Sequence, residues 1–151
     1  QALALLADPS ETELEVLGAI KYQGNEVLLH TDDSVLPTRR RAWAAWNYHL
    51  LGGNQTRVPV TYNMNILQGF DCPEQFCVTL NNSDAIDPSK VLKRMHYQHP
   101  VYTPESVAAQ ARQAEVNIGR TFYCGAYWRY GFHEDGVASA LEALKHFEQS
   151  L

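Results

Sequence analysis

Val58-Pro59-Val60-Thr61-Tyr62-Asn63-Met64-Asn65-Ile66-Leu67 is the stretch on which the fold turns. Val58, Val60, Tyr62, Met64 and Ile66 alternate with Pro59, Thr61, Asn63 and Asn65, the period of a strand with one buried face. Such alternation specifies register, because a slip of one residue would carry the apolar set to the opposite face. The spacing predicts a strand over 58–67 with Val60 and Tyr62 inward.

Working outward, runs of strand character cover 26–31, 42–48, 76–80 and 91–97. Between them stand Gly52-Gly53-Asn54, Asp71-Cys72-Pro73 and Asn81-Asn82-Ser83-Asp84, which favour turns through positive φ, fixed φ or side-chain bonds to the backbone. A meandering antiparallel sheet follows. Helices flank it. Two short ones open the chain, the second with Ser10 and Glu13 as a capping box, Leu14 and Leu17 as its stripe and Gly18 as its stop. Thr103-Pro104 begins another, expected to run through Val107, Ala111, Ala114 and Ile118 to Gly119 and to lie on the sheet. A last strand over 121–124 leads through a Gly- and aromatic-rich loop to a terminal helix with the stripe Val137, Leu141, Leu144, Phe147 and Leu151. The predicted class is α+β, a mainly antiparallel sheet with packed helices.

Composition narrows the function. The 151 residues are about one domain's worth, 45% hydrophobic and 19% charged, which excludes a disordered or collagen-like chain. Net charge is −5, and basic residues gather only at Arg39, Arg40 and Arg41, a solvated turn, so nucleic acid is not an expected partner. No apolar run approaches the roughly 20 residues of a membrane helix, and no signal peptide is recognisable, so a cytoplasmic location is expected. Cys72, Cys77 and Cys124 match no zinc spacing and read as reduced thiols; His96 and His99 complete no ligand set, and no metal is expected. The opening Gln-Ala-Leu-Ala-Leu-Leu, already apolar and helical, reads as a fragment of a longer protein.

Thr121 to Leu144, TFYCGAYWRYGFHEDGVASALEAL, carries the most chemical information. A strand ending at Gly125, a loop, and a helix beginning near Gly136 after Glu134 and Asp135 would let a ligand approach the backbone and meet the N–H groups of a helix end. This segment resembles the C-terminal signature of the flavin-containing amine oxidase and phytoene desaturase superfamily. Upstream, Gln1 to Leu6, Tyr22 to Asp32 (YQGNEVLLHTD), Leu36 to Arg40 (LPTRR) and Ala42 to Tyr48 (AWAAWNY) resemble one bacterial branch of it, usually described as predicted NAD/FAD-binding protein or FAD-dependent oxidoreductase.

The resemblance implies that 1–20 is the helical tail of an FAD domain, 21–118 a substrate-binding α+β domain, and 119–151 a strand, loop and helix returning to FAD. It places Gly125 under the ribityl chain and Asp135, Gly136 and Val137 at a helix start facing the pyrimidine side of the ring, with the Val137 N–H as donor to the flavin O2 and N1 region. Two departures stand out. Ala126 occupies a position where many members carry an acidic residue, and 26–30 lacks the lysine that amine oxidases tend to have there. The second favours a desaturase-like reaction at least as much as amine oxidation.

His30, Trp46, Tyr62 and Trp128 are the candidate lining of an apolar substrate pocket, weighed against ordinary sheet packing. His133 beside Glu134 and Asp135 reads as a solvated or capping cluster. The implied activity of the full-length protein is hydride removal from a small apolar substrate, lipid or amine, by FAD. G-x-G-x-x-G is absent from these residues, so the isolated chain is expected not to hold FAD and to depend on a missing N-terminal FAD domain. The rival is a non-catalytic α+β ligand- or protein-binding module. Apolar surface left uncovered would also allow a homodimer of the fragment.

Overall fold

A computed structural model describes residues 2–52 and 57–149. Gln1, Leu151 and the expected turn residues Gly53 and Asn54 lie outside the described residues. The chain divides into two compact units, one of residues 1–23 and 99–151, the other of residues 24–98. The stretch 99–118, grouped by sequence with the sheet, therefore belongs with the two ends of the chain.

The sheet contains β1 (Tyr22–His30), β2 (Trp46–Tyr48), β3 (Val60–Asn63), β4 (Cys77–Leu80) and β5 (Val91–Pro100) in the order β2-β3-β4-β1-β5. Pairing is antiparallel, with Trp46 opposite Tyr62, Thr61 opposite Thr79 and His30 opposite Cys77. The α+β class is as expected. The decisive strand is shorter: β3 ends at Asn63, whose side chain accepts from the Ile66 N–H at 3.1 Å and starts the helix α2, Met64–Gln68. Met64 and Ile66 thus leave the strand period. The run 42–48 likewise yields only β2, because Arg40–Ala42 forms a 3-10 turn.

The faces of this sheet differ from the expectation. One carries Asn47, Thr61 and Asn63, Cys77 and Thr79, Leu28 and His30; all are buried, and most are polar. The other carries buried Val27 and Val60, half-buried Tyr62, Val78 and Leu29, and exposed Trp46 and Tyr48. Polar side chains are tolerated inside because they satisfy one another across strands.

In the unit of residues 1–23 and 99–151, α1 (Glu11–Ala19) starts at the capping box, with the Glu13 N–H donating to Ser10 Oγ at 3.2 Å and the Ser10 N–H donating to Glu13 Oε2 at 2.8 Å. Gly18 lies within the helix and does not stop it. Val16, Leu17 and Ile20 pack with Ala109, Val116, Tyr123 and Trp128 as the core. The single helix expected from Thr103 to Ile118 is two, α3 (Pro104–Gln110) and α4 (Gln113–Val116), and both pack on α1. At the break Arg112 spans Glu15 and Glu115.

The run 121–124 forms no strand beyond a single bridge, Ile118 to Thr121. Side chains take its backbone groups instead: Asn117 Oδ1 accepts from the Tyr123 N–H at 2.6 Å, and Gln113 Nε2 donates to the Tyr123 carbonyl at 3.0 Å. The terminal helix α5, His133–Gln149, begins three residues before Gly136. It buries Ser139 and Ala143, while Val137, Leu141, Leu144 and Phe147 of the expected core stripe are exposed.

Candidate functional site

The loop from Gly125 to α5 is built on two glycines that no other residue fits. Gly125 has φ +151°, and a Cβ there would lie 2.5 Å from the Tyr127 ring; Gly131 has φ +92°, and its Cβ would lie 2.6 Å from the Tyr102 hydroxyl. Side chains tie the loop down. The Gly125 N–H donates to Ser139 Oγ at 2.8 Å, and that hydroxyl donates to the Gly136 carbonyl at 2.9 Å. Gln110 Nε2 donates to the carbonyls of Tyr127 and Arg129 at 2.8 and 2.7 Å. Asp135 Oδ2 accepts from the N–H groups of Tyr130 and Phe132 at 3.2 and 3.0 Å.

Tyr22, Tyr102, Tyr127 and Tyr130, with His99 and Pro100, line a cleft of about 310 Å³ beside this loop. Burial pushes the Tyr127 hydroxyl up to about 12 and raises Tyr22 and Tyr102, the latter helped by the Asp135 charge. Tyr22, Tyr102 and Tyr127 are thus neutral phenols at physiological pH. Trp128 points elsewhere: it is buried in the core of its unit, its ring 5.3 Å from that of Tyr127. Its indole N–H makes no hydrogen bond at standard distance, although it favours the ionised form of the neighbouring Tyr127 hydroxyl.

No protein-family model matches this chain, and no curated protein matches it.

Gly125, Asp135, Gly136 and Val137 lie at the junction of loop and helix. The Gly136 N–H already donates to the Phe132 carbonyl at 3.3 Å, and Val137 is the fifth helical residue, so its N–H belongs to the helix ladder. The donors lacking a partner within the helix are those of the first turn, and His133 and Glu134 there are exposed. Asp135 reaches back to the loop and caps it.

Of the expected pocket residues, Trp46 and Tyr62 meet edge to face, 5.2 Å apart at 70°. His30 lies on the opposite face of the sheet, and Trp128 belongs to the other unit. The four form no common lining within either unit.

His30 instead ends a chain that sequence reasoning missed. His30 Nε2 meets Thr79 Oγ1, Thr79 Oγ1 meets Thr61 Oγ1, and Thr61 Oγ1 meets His49 Nε2, each at 2.7 Å. The Asp32 N–H donates to His30 Nδ1 at 3.2 Å, so the neutral ring carries its proton on Nε2. Each hydroxyl then donates to the next acceptor, and His49 Nε2 receives the last. The signal was present: Thr61 and Thr79 sit at alternate strand positions that face each other once paired. Nearby, Asp32 is buried, and although burial raises it, bonds from the Asp87 N–H, Ser34 and Lys90 hold its carboxyl far below the usual range.

Among the described residues no three His, Cys, Asp or Glu side chains gather to hold a metal, and no helix is long and apolar enough to cross a membrane.

Proposed function

We propose that this chain is the substrate-side and C-terminal part of an FAD-dependent oxidoreductase acting on an apolar substrate. The observation that carries it is the junction of 125–136. Two glycines at positive φ and the exposed first turn of a 17-residue helix meet beside a tyrosine-walled cleft. FAD would supply the redox step, taking hydride from the substrate.

The residues fit a flavin edge through His133 and Glu134, whose amides would stabilise negative charge gathering there. At Gly136 the space is open, with Ala126 N the nearest heavy atom, 3.9 Å from an added Cβ. Tyr102, Tyr127 and Tyr130 would exclude water and hold an apolar substrate. Asp135 orients the loop. Free Cys72, Cys77 and Cys124 accord with the reducing cytoplasm, where we place the protein. A second reading, a non-catalytic binding module, draws on exposed Trp46 and Tyr48.

His133→Pro tests the flavin reading, because proline is tolerated at the first helical position yet removes the N–H. In the polypeptide that joins this chain to its nucleotide-binding part, the variant should keep its circular dichroism and lose flavin absorbance on purification. A colourless parent protein, or a variant that keeps its full flavin, overturns the proposal.

A further inference from the structure

From the hydrogen-bonded side chains that cross β4 and β3 we infer an acid switch: a proton taken up at His49 reverses every bond along the chain and releases the Asp32 amide from His30 at the far end. The two ends are unequal. His30 is fully buried, whereas His49, just past β2, is half-buried and is where a proton from solvent arrives. In the neutral state both direction and tautomer are fixed. His30 Nδ1 accepts from the Asp32 N–H, so Nε2 donates to Thr79; Thr79 then donates to Thr61, Thr61 donates to His49 Nε2, and His49 keeps its own proton on Nδ1.

Protonated, His49 presents an N–H where it had an acceptor. If Thr61 holds its direction, two hydrogens confront each other across a 2.7 Å contact, and a buried hydroxyl is left without an acceptor. If it turns, His49 Nε2 donates to Thr61, Thr61 to Thr79, and Thr79 to His30 Nε2, which becomes an acceptor as His30 carries its proton on Nδ1 instead. One proton is gained overall; each hydroxyl keeps one hydrogen, and His30 stays neutral in its other tautomer. All three bonds at 2.7 Å survive, the one at His49 now charge-assisted, and only the 3.2 Å bond from the Asp32 N–H is given up. Reversal is the cheaper response. The surrounding groups keep the charge at the half-buried end: at His30 burial opposes protonation, Asp32 favours it and Lys90 opposes it, while Cys77, opposite on β4, is a neutral thiol; at His49 burial is the cause at work. The Asp32 carboxylate is held separately by the amides of Ser34 and Asp87 and by Lys90, so the main chain between His30 and Asp32 is what loosens.

Imidazole nitrogen NMR spectra between about pH 8 and 5 test the switch. As His49 titrates, His30 should exchange tautomers, with Nδ1 becoming its protonated nitrogen, and the Asp32 amide should shift with the same midpoint. Thr79→Val interrupts the chain and should leave His49 titrating while His30 and the Asp32 amide stay still; Thr79→Ser should restore the coupling. His49→Gln should abolish both distant responses. The unsubstituted chain decides the matter even if Thr79→Val fails to fold. A His30 that keeps its Nε2 proton while His49 titrates, or that becomes doubly protonated, overturns the inference. So does coupling that persists in Thr79→Val, or unfolding before His49 takes up its proton. None of these readouts involves flavin.

Discussion

The hydroxyls of Thr61 and Thr79 meet at 2.7 Å between β3 and β4, fully buried, with an imidazole hydrogen-bonded at each end of the pair. Both hydroxyls donate once and accept once, so removing either leaves two buried groups without a partner. Thr79→Val keeps the shape and should cost about 1–3 kcal/mol of stability, most of it from the stranded His30 N–H. Urea unfolding would measure it; a variant as stable as the parent would show the bonds to be energetically idle.

The same chain gives a pH dependence. Burial lowers both His30 and His49 from 6.5, against the pull of Asp32 on His30 and with the help of Lys90. A doubly protonated ring at either end must break a bond, since His30 Nδ1 already accepts the Asp32 N–H and His49 Nε2 accepts from Thr61. The unfolded chain therefore takes up protons that the folded one refuses, and stability is full above 6.5 and declines as pH falls below it. Urea midpoints between pH 8 and 5 should fall, and fall less in His49→Gln. The contribution of Asp32 is lost only as pH falls below 3.8, where the unfolded chain protonates a carboxylate that the fold keeps ionised.

Asp32 and Lys90 should respond unequally to substitution. The carboxylate is buried and accepts from the amides of Ser34 and Asp87 as well as from Lys90 Nζ at 3.0 Å, whereas the lysine side chain is 42% exposed. Asp32→Ala should cost about 2–4 kcal/mol by orphaning buried donors, and Lys90→Met less than about 1. Equal losses in thermal or urea unfolding would mean that the ion pair, not the amide bonds, gives Asp32 its weight.

Much of this was legible and some was not. The capping box of Ser10 and Glu13 and the turn at Asn81, which has φ +54°, rest on local chemistry, and sequence reports local chemistry well. Val60 is buried as the period implies, but Thr61 and Asn63 on the other face are buried too, because period alone does not say which of two alternating sets finds partners. Thr61 and Asn63 had theirs on β4 and α2, far along the chain. The start of α5 was misplaced because Gly136 was taken as a boundary, when Asp135, reaching back to Phe132, marks it three residues earlier. The clustering of Gly125 with Gly136 was readable from motif; the Ser139 hydroxyl that joins them was not.

Gly125 offers a direct probe of the loop. Gly125→Ala would drive a methyl group into the Tyr127 ring at a φ that L residues rarely adopt, and should destabilise by about 1–3 kcal/mol. Gly69→Ala, also at positive φ but in open space, should cost less. A reversed order in thermal shifts would show that the tyrosine yields.

The three thiols should separate by reactivity. Cys124 is exposed and Cys72 half-buried, while burial, with Asp33 and Asp32 nearby, pushes the Cys77 thiol up to about 12. Ellman's reagent should modify Cys124 first and reach Cys77 only in denaturant. Rapid modification of Cys77 in the native protein would show that the polar face of the sheet opens readily.

That buried polar face has a consequence for how the chain finds its partners while it folds. Were β3 to dock one residue out of step, Val60 and Tyr62 would confront the hydroxyl and imidazole groups, which would then lose both water and acceptors. Greasy strands forgive such errors; this one penalises them at each rung. Asn47, Thr61, Thr79 and His30 therefore work as a combination lock on strand alignment, trading some raw stability for a single admissible arrangement.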